Sequence, residues 1–105
     1  MKVLILESAE CDLKELRSCT VKSTSKATWQ ATYNKLKASI RNLASFSHAG
    51  SVPPEFDALN LGQYRQVLCG MNRIIYEVRG DTLYVHLVVD SRRDMEAFLM
   101  RRLVR

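Results

Sequence analysis

Residues 64–89, YRQVLCGMNRIIYEVRGDTLYVHLVV, hold three runs of β-branched and aromatic residues divided by two short breaks. The runs YRQVLC, RIIYEVR and TLYVHLVV suit pleated strands, where such side chains pack against cross-strand neighbours. The breaks are GMN and GD, and Gly80-Asp81 suits a two-residue hairpin turn. The stretch therefore reads as a three-strand meander. Strict alternation in the last run sends Leu83, Val85, Leu87 and Val89 to one face, and Tyr84, His86, Val88 and Asp90 to the other. In the middle run Ile74, Tyr76 and Val78 carry the core, which leaves Arg73 as a surface residue.

Upstream the period changes. Met1 to Glu7 reads as a short buried strand, and Ser8 as the cap of a helix through Val21 with Ala9, Leu13 and Leu16 on one face. Ser25 opens a longer helix whose apolar positions Trp29, Tyr33, Leu36, Ile40 and Leu43 step by four and three residues. Trp29 and Tyr33 read as core rather than as a stacking platform. The two helices form an antiparallel hairpin. SHAGSVPPEFDALNLG, residues 47–62, interrupts both periods with prolines and glycines and reads as a surface connection. Downstream, Asp90 or Ser91 caps a closing helix with Met95, Phe98, Leu99 and Leu103 toward the core. The order β-α-α-β-β-β-α describes one α+β domain over residues 1–105, an antiparallel sheet with a helical hairpin on one face. The partner of the first strand is left open.

Composition narrows the function classes. A chain of 105 residues with 47% hydrophobic content can bury one core. A net charge of +5 and a pI near 9.4 suit an acidic partner, either nucleic acid or protein. No acid occurs between Glu15 and Glu55, while Lys22, Lys26, Lys35, Lys37 and Arg41 all fall there. This is either a solvated helix face or a binding surface. Cys11 and Cys19 lie about 12 Å apart along one helix, too far for a disulfide, and Cys69 would be left over. Reduced thiols in the cytoplasm are expected. The opening MKVLILES is too short for a signal peptide or a membrane span.

Catalytic motifs are sparse. No glycine cluster opens a helix to cradle phosphate. His48 and His86 stand far apart and the cysteines lack zinc spacing, so neither metal nor cofactor is expected. A nucleophilic pair of Cys69 and His86 is conceivable from sequence, but a buried strand cysteine is the plainer reading. Arginine remains. If the strands pair as a meander, Arg65, Arg73 and the region of Arg92 and Arg93 are expected to converge on one sheet surface. Guanidinium groups hold phosphates in bidentate fashion and keep their charge at any cellular pH.

The element order and the words ALNLGQYRQVLCGMNRIIYEVRGDTLYVHLVVDSRRDMEAFLMRRL resemble the RelE/ParE family of toxins from bacterial toxin–antitoxin systems. The early AECDLKEL helix, the strand from Arg73 to Tyr76 and the strand ending VVDSRRD carry the likeness, which covers nearly the whole chain. It implies a small cytoplasmic toxin wrapped by an antitoxin, and the acid-free stretch then offers Lys22, Lys26, Lys35, Lys37 and Arg41 as the antitoxin-binding surface. Dimerisation of the free toxin is an option that the resemblance leaves open.

The family includes two activities. RelE-like members cut messenger RNA in the ribosome, using basic strand residues, an arginine after the last strand and a tyrosine or histidine in the closing helix. No catalytic residue is assigned; were the chain a nuclease, the resemblance would offer Arg65, Arg73 and Arg93, with His86 as a further candidate from its strand position. ParE-like members poison DNA gyrase, and for them it points to Arg73, Arg92, Arg93, Arg101, Arg102 and Arg105 as target-binding. Here Val67 replaces a second basic strand residue. Phe98 falls where the aromatic acid–base would be and has no proton to transfer. Arg92 followed by Asp94 is closer to the ParE pattern. Gyrase poisoning is thus the expected activity, with mRNA cleavage and a non-toxic nucleic-acid-binding module as alternatives.

Overall fold

A computed structural model describes residues 2–47, 49–54 and 62–90. β1 (Lys2–Ile5) leads through Leu6 into α1 (Glu7–Ser23), and α2 (Lys26–Ser45) returns along it. β2 (Tyr64–Cys69), β3 (Asn72–Arg79) and β4 (Thr82–Asp90) then form the expected meander. The closing helix expected after Asp90 lies outside the described residues. Ser25 caps α2, its side chain accepting from the Thr28 amide at 3.1 Å. Gly70 and Gly80 sit at the two hairpin tips with φ of 60°, a left-handed conformation that favours glycine.

The sheet runs β1-β4-β3-β2. β1 finds its place beside β4, in parallel, with Val3 opposite Leu83 and Ile5 opposite Val85. The other two pairings are antiparallel. β1 is therefore an edge strand and not the buried strand that its apolar run suggests. Leu4 and Ile5 are each 39% exposed, because only one side of β1 has a neighbour. Ser8 does not cap α1 either. The cap position is Leu6, without a side-chain bond, while Glu7 and Glu10 place acid in the first turn where the helix dipole favours it.

Strict alternation along β4 fails at one residue. Tyr76 pairs with Val85 and Ile75 with Leu87, so His86 is extra and forms a β-bulge. Beyond it the faces exchange. Leu83, Val85 and Val88 join Ile74 and Tyr76 against Ala9, Leu36, Ile40 and Leu43 under the helices. Leu87 and Val89 are also buried but stand outside that cluster. Past the end of β1, α1 supplies partners to the β4 backbone. Ser8 Oγ donates to the His86 carbonyl at 2.9 Å, and the buried Asp12 carboxylate accepts from the Val88 amide at 3.2 Å. Residues four apart share a helix face, so Ser8 and Asp12 reach the same stretch of strand.

The connection after α2 is more than a surface loop. Ser51 exchanges backbone bonds with Gln66 at 3.2 and 2.8 Å, extending the free edge of β2. Gly50 and Pro53 are buried. The Tyr76 hydroxyl donates to the Ser47 carbonyl at 2.9 Å and accepts from the Gly50 amide at 3.0 Å. A Cβ at Gly50 would meet that hydroxyl at 2.7 Å and would also press on the Gln66 carbonyl.

Candidate functional site

The strand register separates the arginines that the sequence suggested would converge. Arg65 lies opposite Tyr76 and shares its face, toward the helices, and its Nη1 donates to the Gly50 carbonyl at 2.8 Å. Arg73 lies opposite Leu68, on the other face. A strand repeats every two residues, so Arg73 and Tyr76, three apart, must point oppositely. Arg73 is also not a surface residue: it is 8% exposed, and its Nε donates to Gln66 Oε1 at 2.6 Å. Arg92, Arg93, Arg101, Arg102 and Arg105 lie outside the described residues.

His86 occupies the bulge with its ring half-buried. Its Nε2 is 3.1 Å from Glu77 Oε1, and the ring meets Tyr64 edge-on at 5.0 Å between centroids. The other Glu77 oxygen takes the Arg79 Nε at 3.0 Å. Burial, and then the Glu77 charge, raise the Tyr64 hydroxyl above its ordinary value, since both oppose a phenolate there. The bond to Glu77 raises exposed Arg79 further above an already high value. Cys69 does not join this group. It pairs with Asn72 at the opposite end of β2 from Tyr64 and faces the helices. Glu77 escaped the sequence reading because its meeting with His86 depends on the register of β3 against β4, which pairs Glu77 with Tyr84.

The basic stretch resolves into two parts. Helical spacing puts Lys26, Lys37 and Arg41 on one flank of α2, with Tyr33 between them, and Lys37 Nζ sits 5.5 Å above the Tyr33 ring. Lys35 falls on the outward side of α2, away from this row. Lys22 stands at the end of α1. Between the helices runs an open groove of about 460 Å³ whose apolar part is Leu13, Val21, Trp29 and Tyr33. Trp29 is buried and Tyr33 half-buried, stacked at 5.6 Å and 29°. Both rings line the groove and stand outside the core cluster under the helices, so Tyr33 in particular is not the core residue its spacing suggested. Lys14 and Arg17 of α1 line it as well, and a hollow of about 350 Å³ beside it adds Ser18 and Lys22. Lys14 precedes the acid-free stretch and Arg17 opens it, and the sequence reading began its basic surface only at Lys22. Only the packing of α1 on α2 brings them across from Lys26.

A second groove, about 430 Å³, has the opposite sign. Asp12, Glu15, Leu16 and Cys19 of α1 face the end of β4 there, beside Asp90. Among the described residues no group of His, Cys, Asp and Glu is placed to hold a metal ion. Cys11 and Cys19 are exposed free thiols and Cys69 is half-buried. No helix among the described residues is long and apolar enough to cross a membrane.

Comparison with known proteins complements this geometry. A family model described as the ParE toxin of the type II toxin–antitoxin system, parDE, matches residues 3–95. Among solved structures, one titled "Chromosomal ParDE TA system from P. aeruginosa" is similar in fold, with a TM-score of 0.72 at 12% identity. The likeness covers 86% of this chain and 95% of that one. No protein of curated function matches the sequence.

Proposed function

Because this chain belongs to the ParE toxin family of type II toxin–antitoxin systems, we propose that it arrests bacterial growth by binding and poisoning DNA gyrase in the cytoplasm, held in check by a cognate antitoxin. The family match carries the toxin reading. The register that sends Arg65 and Arg73 to opposite faces favours gyrase binding over messenger RNA cleavage. A nuclease of this fold needs guanidinium groups and a proton carrier gathered at one phosphodiester. Here Arg65 holds a backbone carbonyl, Arg73 is buried against Gln66, and His86 is engaged by Glu77. The arginine-rich segment holding Arg92, Arg93, Arg101, Arg102 and Arg105 is the proposed gyrase contact, which leaves out Arg73, buried on β3.

Two assays on purified toxin test this. Incubation with gyrase and plasmid should accumulate cleaved DNA, and ribosome-bound messages should stay intact. Replacing Arg101, Arg102 and Arg105 together by Gln should abolish the gyrase effect. Codon-specific cuts in translated messages, with gyrase unaffected, would establish the nuclease reading instead.

A further inference from the structure

We propose that the outer edge of β1 pairs, antiparallel, with β1 of a second copy of this chain, joining two four-stranded sheets into one. The pairing does not depend on the target proposed above. The sheet has two edges, and they are finished differently. At β2 the Ser51 backbone exchanges bonds with Gln66 and closes part of the edge. β1 has no such cover among the described residues. The Lys2 amide donates to the Asp81 carbonyl at 3.0 Å, and the Leu6 amide to the Val85 carbonyl at 3.1 Å. Backbone groups alternate sides along a strand, so Leu4 also bonds toward β4, while Val3 and Ile5 turn their amides and carbonyls outward. A proline, a bulge or a central charge commonly blunts such an edge. The strand KVLI carries its one charge at the end, and Leu4 and Ile5 are each 39% exposed.

The outward groups select the register. With Leu4 opposite Leu4 of the second copy, Val3 falls opposite Ile5 on both sides of a two-fold axis. Each Val3 and Ile5 then exchange amide and carbonyl bonds across the edge, and no outward group of the strand is left over. Pairing Val3 with Val3, or Ile5 with Ile5, would leave the other residue beyond the end of the partner strand. The same register keeps the faces aligned. Leu4 meets its counterpart on the side of Tyr84, away from the helices, and Val3 meets Ile5 on the side of Leu83 and Val85. Charge decides for a second copy. Lys2 comes opposite Leu6 of the partner and therefore next to its Glu7, at both ends of the pairing. Both side chains are exposed, and among the described residues neither has an ion-pair partner. An acidic strand from another protein would instead meet Glu7 with like charge. α1 turns from Leu6 toward β4, where Ser8 and Asp12 bond, and so leaves the outer edge open. The contact is small, so the dimer is weak, with a Kd on the order of 10–100 µM.

Sedimentation equilibrium of the free, full chain across that concentration range tests the pairing, and amide exchange identifies the edge. The Val3 and Ile5 amides should gain protection only where the dimer forms. The Leu4 amide, bonded within the chain, should be protected throughout. Leu4→Lys sets like charges against each other at the two-fold axis and should weaken the dimer about tenfold or more, with an unchanged melt because the position is exposed. Lys2→Glu and Glu7→Lys each turn both end contacts repulsive and should each weaken it about fivefold. The double variant exchanges the two charges and should return to within about twofold of wild type, which a merely structural effect of either residue would not produce. A chain that stays monomeric across the range overturns the inference. A dimer that tolerates Leu4→Lys and both single reversals lies elsewhere on the surface and overturns it too. Protection of Val3 and Ile5 that appears only when antitoxin is added would give the edge to that partner and also overturn it.

Discussion

Replacing Tyr76 by Phe removes one oxygen from the centre of the molecule and tests how the connection after α2 is held. Tyr76 is 0% exposed. Its hydroxyl serves two backbone groups, donating to the Ser47 carbonyl and accepting from the Gly50 amide. In the variant the ring packs as before, but both groups lose their partner. Gly50 is buried, so its amide has no water to turn to and is expected to cost about 1–3 kcal/mol. Ser47 is half-buried and partly compensated by solvent, which adds about 0.5–1 kcal/mol. The sum is about 1.5–4 kcal/mol. At roughly 4–8 °C per kcal/mol for a domain of this size, the melting temperature should fall by about 6–32 °C.

Denaturant unfolding gives the free energy directly, and amide exchange locates it. The Gly50 and Ser51 amides should lose protection first, because the Ser51–Gln66 bridge depends on the same segment. Gly50→Ala provides the second leg of a double-mutant cycle. Its Cβ presses on the Tyr76 hydroxyl, so its cost should shrink once that oxygen is gone, though the Gln66 carbonyl still resists it. A Tyr76→Phe protein that melts within about 1 kcal/mol of wild type, with Gly50 still protected, would refute this account of the latch.

Three further substitutions probe other parts of the fold. Asp12→Ala strips the Val88 amide of its acceptor and should cost about 1–3 kcal/mol by denaturant unfolding, with faster exchange confined to the end of β4. Arg73→Ala should lower the melting temperature measurably, because the side chain is buried and bonded to Gln66; an unchanged melt would restore it to the surface. Tyr64 binds its proton more tightly folded than unfolded, so the native state holds the extra proton between the two values. That contribution is complete below about pH 10 and is lost as pH rises from there through the folded value. Tyr64→Phe should abolish that alkaline component, and the phenolate absorbance it removes should belong to the tyrosine titrating above the ordinary range.

Periodicity made much of the architecture legible. The helical steps from Trp29 to Leu43, the Ser25 cap, and the three strand runs with glycine turns are local signals, set by side-chain spacing and backbone sterics within a few residues. The family likeness was legible for the same reason, since it follows those words in order. What packing alone decided lies wherever one element meets another that is distant in the chain. Nothing within KVLI states that it will run parallel to β4 at an edge, because the apolar run is equally suited to an edge or a centre. The bulge at His86 has no residue signature. It arises where the β3–β4 register shifts and α1 offers Ser8 and Asp12 to the strand backbone, and it exchanges the faces of Val88 and Leu87. The arginines follow the same rule. Their charge could be read from the chain, but the face each one occupies depends on register, where a shift of one residue turns a side chain from one face of the sheet to the other.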